Sequence, residues 1–339
     1  MLFVDKQSFQ TEADLQRALQ RAIQLEHATI PPYLTAYWSL TGANAKIGGI
    51  LNGIFLQEMA HMALAANILN AIGGHPAINN PKLIPRYPGG LPFHIGDQNG
   101  NKFEVGLTPF SLKLVEDVFL TIEQPEHPKD FPKAKAAMFA EDAERFMTIG
   151  EFYDAVTEAL TRLHPKFGNP ELQVETGFPP VTPVLNLQDA LNAIETIKSQ
   201  GEGTGNTPLQ SVGGKPAHYY AFMGILKGAE LKEDHTVKEG FSYSGREIKF
   251  DPKGVLPLAI NPTSALYPPG SDARKASDAF NQTYKLLLDQ LQSAFNGSPG
   301  DLENLAVPTM TTLDDNANAL IKITLTDGRT RAAPTFEYP

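Results

Sequence analysis

Glu58 and His61 lie in the middle of ILNGIFLQEMAHMALAANIL, residues 50–69, a run that is otherwise mostly apolar. Steps of four and three connect Ile47, Leu51, Ile54, Glu58, His61, Ala65, Ile68 and Ile72, the seam by which a helix faces its neighbour. The acid and the imidazole fill two consecutive seam positions. Leaving one charge buried without its partner costs about 3–5 kcal/mol, against a typical total stability of about 5–15 kcal/mol. Compensation can come from a Glu–His hydrogen bond closed within the core, from a wet helix face, or from a cation. The first helix repeats the anomaly, because Leu15, Leu19, Ala22, Glu26 and Ile30 again set a carboxylate in an apolar stripe. Acids and an imidazole converging from two rods are a donor set for hard cations bound through oxygen and nitrogen.

Di-iron and di-manganese bundles of the ferritin-like type build such a centre from one Glu on each of two helices and Glu-x-x-His on each of the other two. On that template Glu26 is the single acid of the first helix, and Glu58 with His61 the pair of the second. A third helix is predicted over Ala134–Leu163. There Glu151, in TIGEFYDAV, is preferred over Glu158 because aromatic and apolar residues flank it, with solvated surface acids as the alternative. The fourth helix, Leu187 to about Ser199, has no Glu-x-x-His, since Lys198 stands three residues after Glu195. Its substitutes are Glu202, in QGEGTG, and His218, where HYYAFMGIL resumes helical spacing after an insertion. Glu123, in TIEQPE, is a candidate outer ligand. His27 points about 100° away from Glu26 on a helix and reads as a neighbour of the centre. His75, His94, His127, His164 and His235 stand beside proline, glycine or charge, as surface loop residues do. Tyr33, Tyr37, Trp38, Tyr153, Tyr219 and Tyr220 are core residues by default, or hydrogen-bonding supports of a ligating carboxylate.

The elements needed to position these residues are helical. The first helix starts near Thr11, with Asp14 completing an imperfect capping box, and is expected to kink or restart at Pro31-Pro32. A second spans roughly Ala45–Ile72 and stops at Gly73-Gly74. Residues 76–110 read as loop with a small hairpin about the Asn-Gly turn of FHIGDQNGNKFEVGL. Ser271 caps a later helix with Phe280, Tyr284, Leu287, Leu291 and Phe295 in register, and a last helix follows near residues 301–325. The expectation is a mainly α fold: a four-helix bundle over residues 1–230 with long irregular connections and minor hairpins, and a C-terminal extension of loops and two helices, 231–339, packed on it.

The 339 residues are 42% hydrophobic, enough for a substantial core. With no cysteine, disulfides, thiolate metal sites, iron–sulfur clusters and Cys nucleophiles are excluded. A net charge of −10 and the lack of any Lys/Arg cluster argue against nucleic acid as a partner. The start MLFVDKQSFQ shows no signal-peptide pattern and no run of 18 apolar residues occurs, so no membrane association and a cytoplasmic location are expected. No Ser-His-Asp grouping, HExxH or nucleotide loop is found.

The segments LEHATIPPYLTAYWSL, QEMAHMALAANILNAIGG, TIGEFY, QGEGT and AHYYAF resemble the ferritin-like domain family named after iminophenyl-pyruvate dimer synthases of bacterial bisindole pathways. The resemblance spans about residues 11–230. It implies a ferritin-like bundle with a carboxylate and histidine metal centre, matched at Glu26, Glu58, His61, Glu151, Glu202 and His218. It does not imply dimerisation of indole imines. The reading ranked first is a non-haem di-iron oxidoreductase with two metal ions, iron or alternatively manganese, using O2 on a small, largely apolar substrate. An imine-coupling synthase of secondary metabolism is the second reading, and metal storage or a structural metal the third. Homo-oligomerisation is left open.

Overall fold

The computed structural model describes residues 9–97, 102–125, 128–129, 148–204 and 207–339. Helix α1 runs over Glu12–Trp38 and α2 over Ala45–Ala71, antiparallel and joined by a short link with a 3₁₀ turn at Gly42–Asn44. The capping box of α1 is complete: Thr11 N–H donates to Asp14 Oδ2 at 2.9 Å, and Asp14 N–H to Thr11 Oγ1 at 3.2 Å. The helix does not restart at Pro31-Pro32, and both prolines lie inside α1. Pro32 has no N–H for the carbonyl of Ala28, but the Tyr87 hydroxyl donates to it at 2.8 Å, and burial of the surrounding turn holds the helix together. Helix α2 ends as Gly73-Gly74 leads one to expect. Gly73 takes φ +78, Gly74 N–H donates to Leu69 O and Gly73 N–H to Asn70 O, a Schellman closure that needs a residue without Cβ at Gly73.

A third rod spans residues 112–122, in which α3 (Leu112–Leu114), a π turn (Val115–Phe119) and α4 (Leu120–Ile122) run on without a break. Helix α5, Ile149–Leu163, packs on α1 and on α6, Leu187–Gly201, while α7, His218–Lys227, packs on α2, α6 and the third rod. The expected start of the third helix at Ala134 is corrected. Thr148 has extended backbone and caps α5, so the helix begins at Ile149, and residues 134–147 lie outside the described residues.

Helices α8, Asp272–Phe295, and α9, Val307–Leu320, the latter preceded by a π turn at Leu302–Ala306, form the last pair. The predicted stripe of Phe280, Tyr284, Leu287 and Leu291 is buried. One hydrophobic cluster extends from Phe9 to Phe336, so residues 231–339 share the core of the bundle. Among the described residues the sheets are two small antiparallel hairpins, Thr176–Gly177 with Pro180–Val181 and Lys232–Glu233 with Phe241–Ser242. The hairpin expected about Asn99-Gly100 has its turn outside the described residues, and Val105 bridges to Gly89 instead of to the FHI run. No helix of the described residues is long and apolar enough to cross a membrane.

Buried amides fasten the irregular connections to α2. Asn67, fully buried, accepts from Val174 N–H at 2.9 Å and donates to the carbonyls of Val174 and Thr182 at 2.8 and 3.0 Å. Asn67→Ala strands three buried backbone groups at about 1–3 kcal/mol each before relaxation. A loss of about 3–5 kcal/mol is expected, read as a fall of roughly 10 °C in the thermal midpoint.

Candidate metal centre

Five side chains from four rods meet in the interior. Glu26 comes from α1, Glu58 and His61 from α2, Glu123 from the residue that ends α4, and His218 from the first turn of α7. All are buried, none more than 6% exposed. Their ligand atoms fall into two overlapping groups, Glu26–Glu58–His61 and Glu58–Glu123–His218, with the atoms of each group within 4.8 Å of one another. Glu58 belongs to both: its Oε2 lies 3.5 Å from His61 Nδ1 and its Oε1 2.8 Å from His218 Nδ1. Glu26 Oε2 is 3.9 Å from His61 Nδ1, and Glu123 Oε2 is 3.4 Å from His218 Nδ1. The two imidazoles stack at 5.7 Å.

Hydrogen bonds from glutamines set which face each histidine offers. The carbonyl of Pro216 can only accept, so the Gln210 amide nitrogen that reaches it at 3.1 Å fixes that side chain's orientation. Gln210 Oε1 then accepts from Gln57 Nε2 at 2.9 Å, which turns Gln57 Oε1 toward His218 Nε2 at 2.8 Å. The Nε2–H of His218 is spent on that bond, and Nδ1 faces the carboxylates. It makes no hydrogen bond of acceptable geometry despite the short distance to Glu58, an ion-pair contact only. His61 repeats the design, with Nε2 held at 2.8 Å by Gln200 Oε1 and Nδ1 turned inward.

The electrostatics are those of a site short of positive charge. Burial and then the charge of Glu58 push Glu26 well above the usual carboxylate range, and the same two causes raise Glu123. Burial raises Glu58 too, but His61 and His218 outweigh it and leave it below the usual range. At His218 burial acts downward, and Glu123 and Glu58 together overcome it and lift the imidazole to about 10. Among the described residues no Lys or Arg pairs with any of the three acids. Three carboxylates and two inward imidazole nitrogens, with no Lys or Arg of the described residues beside them, suit hard metal ions, and Glu58 would serve both groups.

Two tyrosines brace the acids from outside. Tyr153 on α5 donates to Glu26 Oε1 at 2.6 Å, and Tyr33 on α1 donates to Glu123 Oε1 at 2.5 Å. The rings of Tyr33, Phe119 and Phe222 contact one another at 4.7–5.7 Å and close a dry wall on that side. Because such partners hold a ligand in one orientation, Tyr153→Phe is expected to weaken metal binding roughly 10–100-fold while the melting curve of the metal-free protein keeps its shape. Competition with a chromophoric chelator measures the first and calorimetry the second.

Of the sequence-predicted ligands, Glu26, Glu58, His61 and His218 are brought together, and Glu151 and Glu202 are in neither group. Glu151 closes the capping box of α5, its Oε2 accepting from Thr148 N–H at 3.0 Å. Glu202 caps the end of α6 and lays its carboxylate over Gly150, where a Cβ would come within 1.9 Å of Oε1. Its neighbour Gly201 borders the centre, since a Cβ there would stand 3.5 Å from Glu123 Oε2. Glu123, placed by the sequence at most as an outer ligand, takes the position expected of Glu151. The π turn at Val115–Phe119 breaks the 3.6-residue period that would have marked it. The remaining signal is an acid directly after the apolar Phe119, Leu120 and Ile122 and before a proline stop.

A family model described as ferritin-like matches residues 19–227. The chain belongs to the ferritin-like family. It is 26% identical to dichlorochromopyrrolate synthase of Lentzea aerocolonigenes over 96% of its own length. It spans only 36% of that larger protein. A crystal structure of a ferritin-like protein from Caulobacter vibrioides superposes with a TM-score of 0.64 at 26% identity, covering 96% of this chain and 97% of that one. The family expected from the five sequence segments is thus the family found.

Proposed function

We propose that this ferritin-like protein is a non-haem dinuclear-metal oxidoreductase, with iron the preferred metal and manganese the alternative, that uses O2 on a small, largely apolar organic substrate. One observation carries the metal reading: both histidines have Nε2 committed to a glutamine and point Nδ1 at the same carboxylate, Glu58. When bound, a pair of redox-active ions supplies electrons to O2 and the oxidising equivalents that act on the substrate. The chain's own residues do the rest. Glu58 holds the two positions together, Gln57 and Gln200 keep the imidazoles in one tautomer, and Tyr33 and Tyr153 orient the outer acids. The aromatic wall of Tyr33, Phe119 and Phe222 keeps water from the acids and suits an apolar reactant.

The test is anaerobic loading with ferrous iron, followed by exposure to O2 in an oxygen electrode with and without candidate aromatic substrates. About two irons per chain and O2 uptake that depends on them are expected. Iron far beyond two per chain points to storage, and no O2 uptake under any condition defeats the oxidase reading. The 26% identical synthase supports a second reading, in which the same centre serves the coupling of amino-acid-derived imines. Product analysis with an indole or phenyl imine separates the two, since coupling yields a product containing both reactants and simple oxidation does not.

A further inference from the structure

A second concavity lies about a quarter turn round α1 and α2 from the carboxylates, under the cover of α8 and α9. It encloses about 400 Å³, and none of the five residues of the metal centre lines it. His27 and Trp38 both line it from α1, and eleven residues of helix put its ends about 16 Å apart, the shape of a slot. Its walls are apolar and adaptable, with Met59, Met62 and Met310 among them.

The polar groups of the slot differ at its two ends. At one end His27 Nε2 and the Tyr284 hydroxyl satisfy each other at 2.7 Å, so neither is left free to take a charged head. At the other end Asp314 accepts from Trp38 Nε1 at 2.7 Å and from Asn318 Nδ2 at 2.9 Å, both neutral donors. No Lys, Arg or His of the described residues pairs with Asp314, and no other acid and no Lys or Arg lines the slot. Asn52 reaches the slot from α2, nearly one turn beyond Phe55, whose ring meets Tyr37 at 5.4 Å, which puts its amide near the Trp38 end. An apolar channel ending in a carboxylate that has no cationic partner among the described residues, with the Asn52 side-chain amide nearby, complements an ammonium group on an apolar body, because the ammonium brings three donors and a positive charge.

We propose that this slot is a binding site for an elongated apolar amine, alkyl or arylalkyl, whose ammonium group pairs with Asp314 while its body lies along α1 and α2 toward His27. The site is separate from the metal centre and does not depend on it.

Trp38 is the only tryptophan of the chain and lines the slot, so its fluorescence reports occupancy directly. Titration of the full chain with 4-phenylbutylamine, 4-phenylbutanol and 4-phenylbutyrate holds the apolar body constant and varies the head. The amine is expected to bind at least fivefold tighter than the alcohol, and the carboxylate weakest. In Asp314→Asn, followed by calorimetry because the substitution alters the reporter itself, the amine is expected to fall within about twofold of the alcohol. Met310→Phe, which narrows the slot, is expected to weaken all three. Equal binding of the three heads by the native protein, no binding of any, a preference that survives Asp314→Asn, or affinities untouched by Met310→Phe each overturn the proposal. The head-group series on the native protein decides the ranking even if Asp314→Asn does not fold.

Discussion

Glu58→Ala is expected to leave the chain without bound metal, a fall from about two ions to none, because this is the one residue common to both ligand groups. His61→Ala and Glu123→Ala each remove a ligand from a single group, so each is expected to lose one ion and retain the other. Glu151→Ala and Glu202→Ala are the contrasting variants. The sequence offers those acids as candidate ligands, whereas in the structure Glu151 closes the cap of α5 and the Glu202 carboxylate lies over Gly150. Both variants are expected to keep the full metal content, and elemental analysis of protein loaded anaerobically and desalted reads all five cases. Loss of metal in Glu202→Ala at native folding would shift the centre toward the α6 end and sink the assignment of Glu123. The metal-free form of Glu26→Gln is a further control. Burial and Glu58 already favour the protonated state of Glu26, and an amide imitates that state, so its melting temperature is expected to stay near that of the unloaded native chain while its metal affinity drops.

What the sequence made legible follows from the period of the helices. Glu26, Glu58 and His61 interrupt long regular stripes, and a charged residue in a stripe is visible from spacing alone. His218 opens a short helix whose apolar face resumes at Phe222 and Ile225, which is enough to mark its side. Glu151, which the same reasoning offers as a ligand, is in neither group. Thr148-x-x-Glu151 is also a capping box, and a helix taken to begin at Ala134 hides the cap in its interior. Glu123 was hidden for the opposite reason, since a five-residue π turn displaces its phase within a rod too short to show a stripe. The glutamines that hold the histidines, Gln57, Gln200 and Gln210, meet the groups they orient only across the fold and stand at no helical spacing from those groups in the sequence. Tyr87, which rescues α1 at its prolines, is equally remote from the helix it completes. Patterns local to one helix were readable, and contacts that close only in three dimensions were not.

Metal loading is expected to raise the thermal midpoint by about 10 °C near pH 7.5. Each ion present at a hundred times its dissociation constant stabilises the folded state by about 2.7 kcal/mol, and two such sites in a chain of this size give roughly that shift. The pH dependence follows from the protons the ions displace. In the metal-free fold His218 holds its proton up to about 10 against an ordinary value of 6.5, and Glu26 and Glu123 also hold theirs above the usual range. A raised folded-state value stabilises the fold fully below the unfolded value and loses that contribution as pH climbs through the folded one. Between pH 6.5 and 10 the metal-free protein therefore loses stability through His218. Over the same interval metal binding tightens, because the protons expelled from the ligands are released into a solution of ever lower proton activity. Both effects act in one direction: the gap between loaded and unloaded midpoints is expected to widen from pH 6 to pH 8.5. Calorimetric scans of the two forms across that interval measure it. Titrations in buffers of different ionisation enthalpy should count about one proton or more released on loading at pH 7.5. A gap that is constant with pH, or loading without proton release, would mean that the ions sit elsewhere than on His218 and the buried acids.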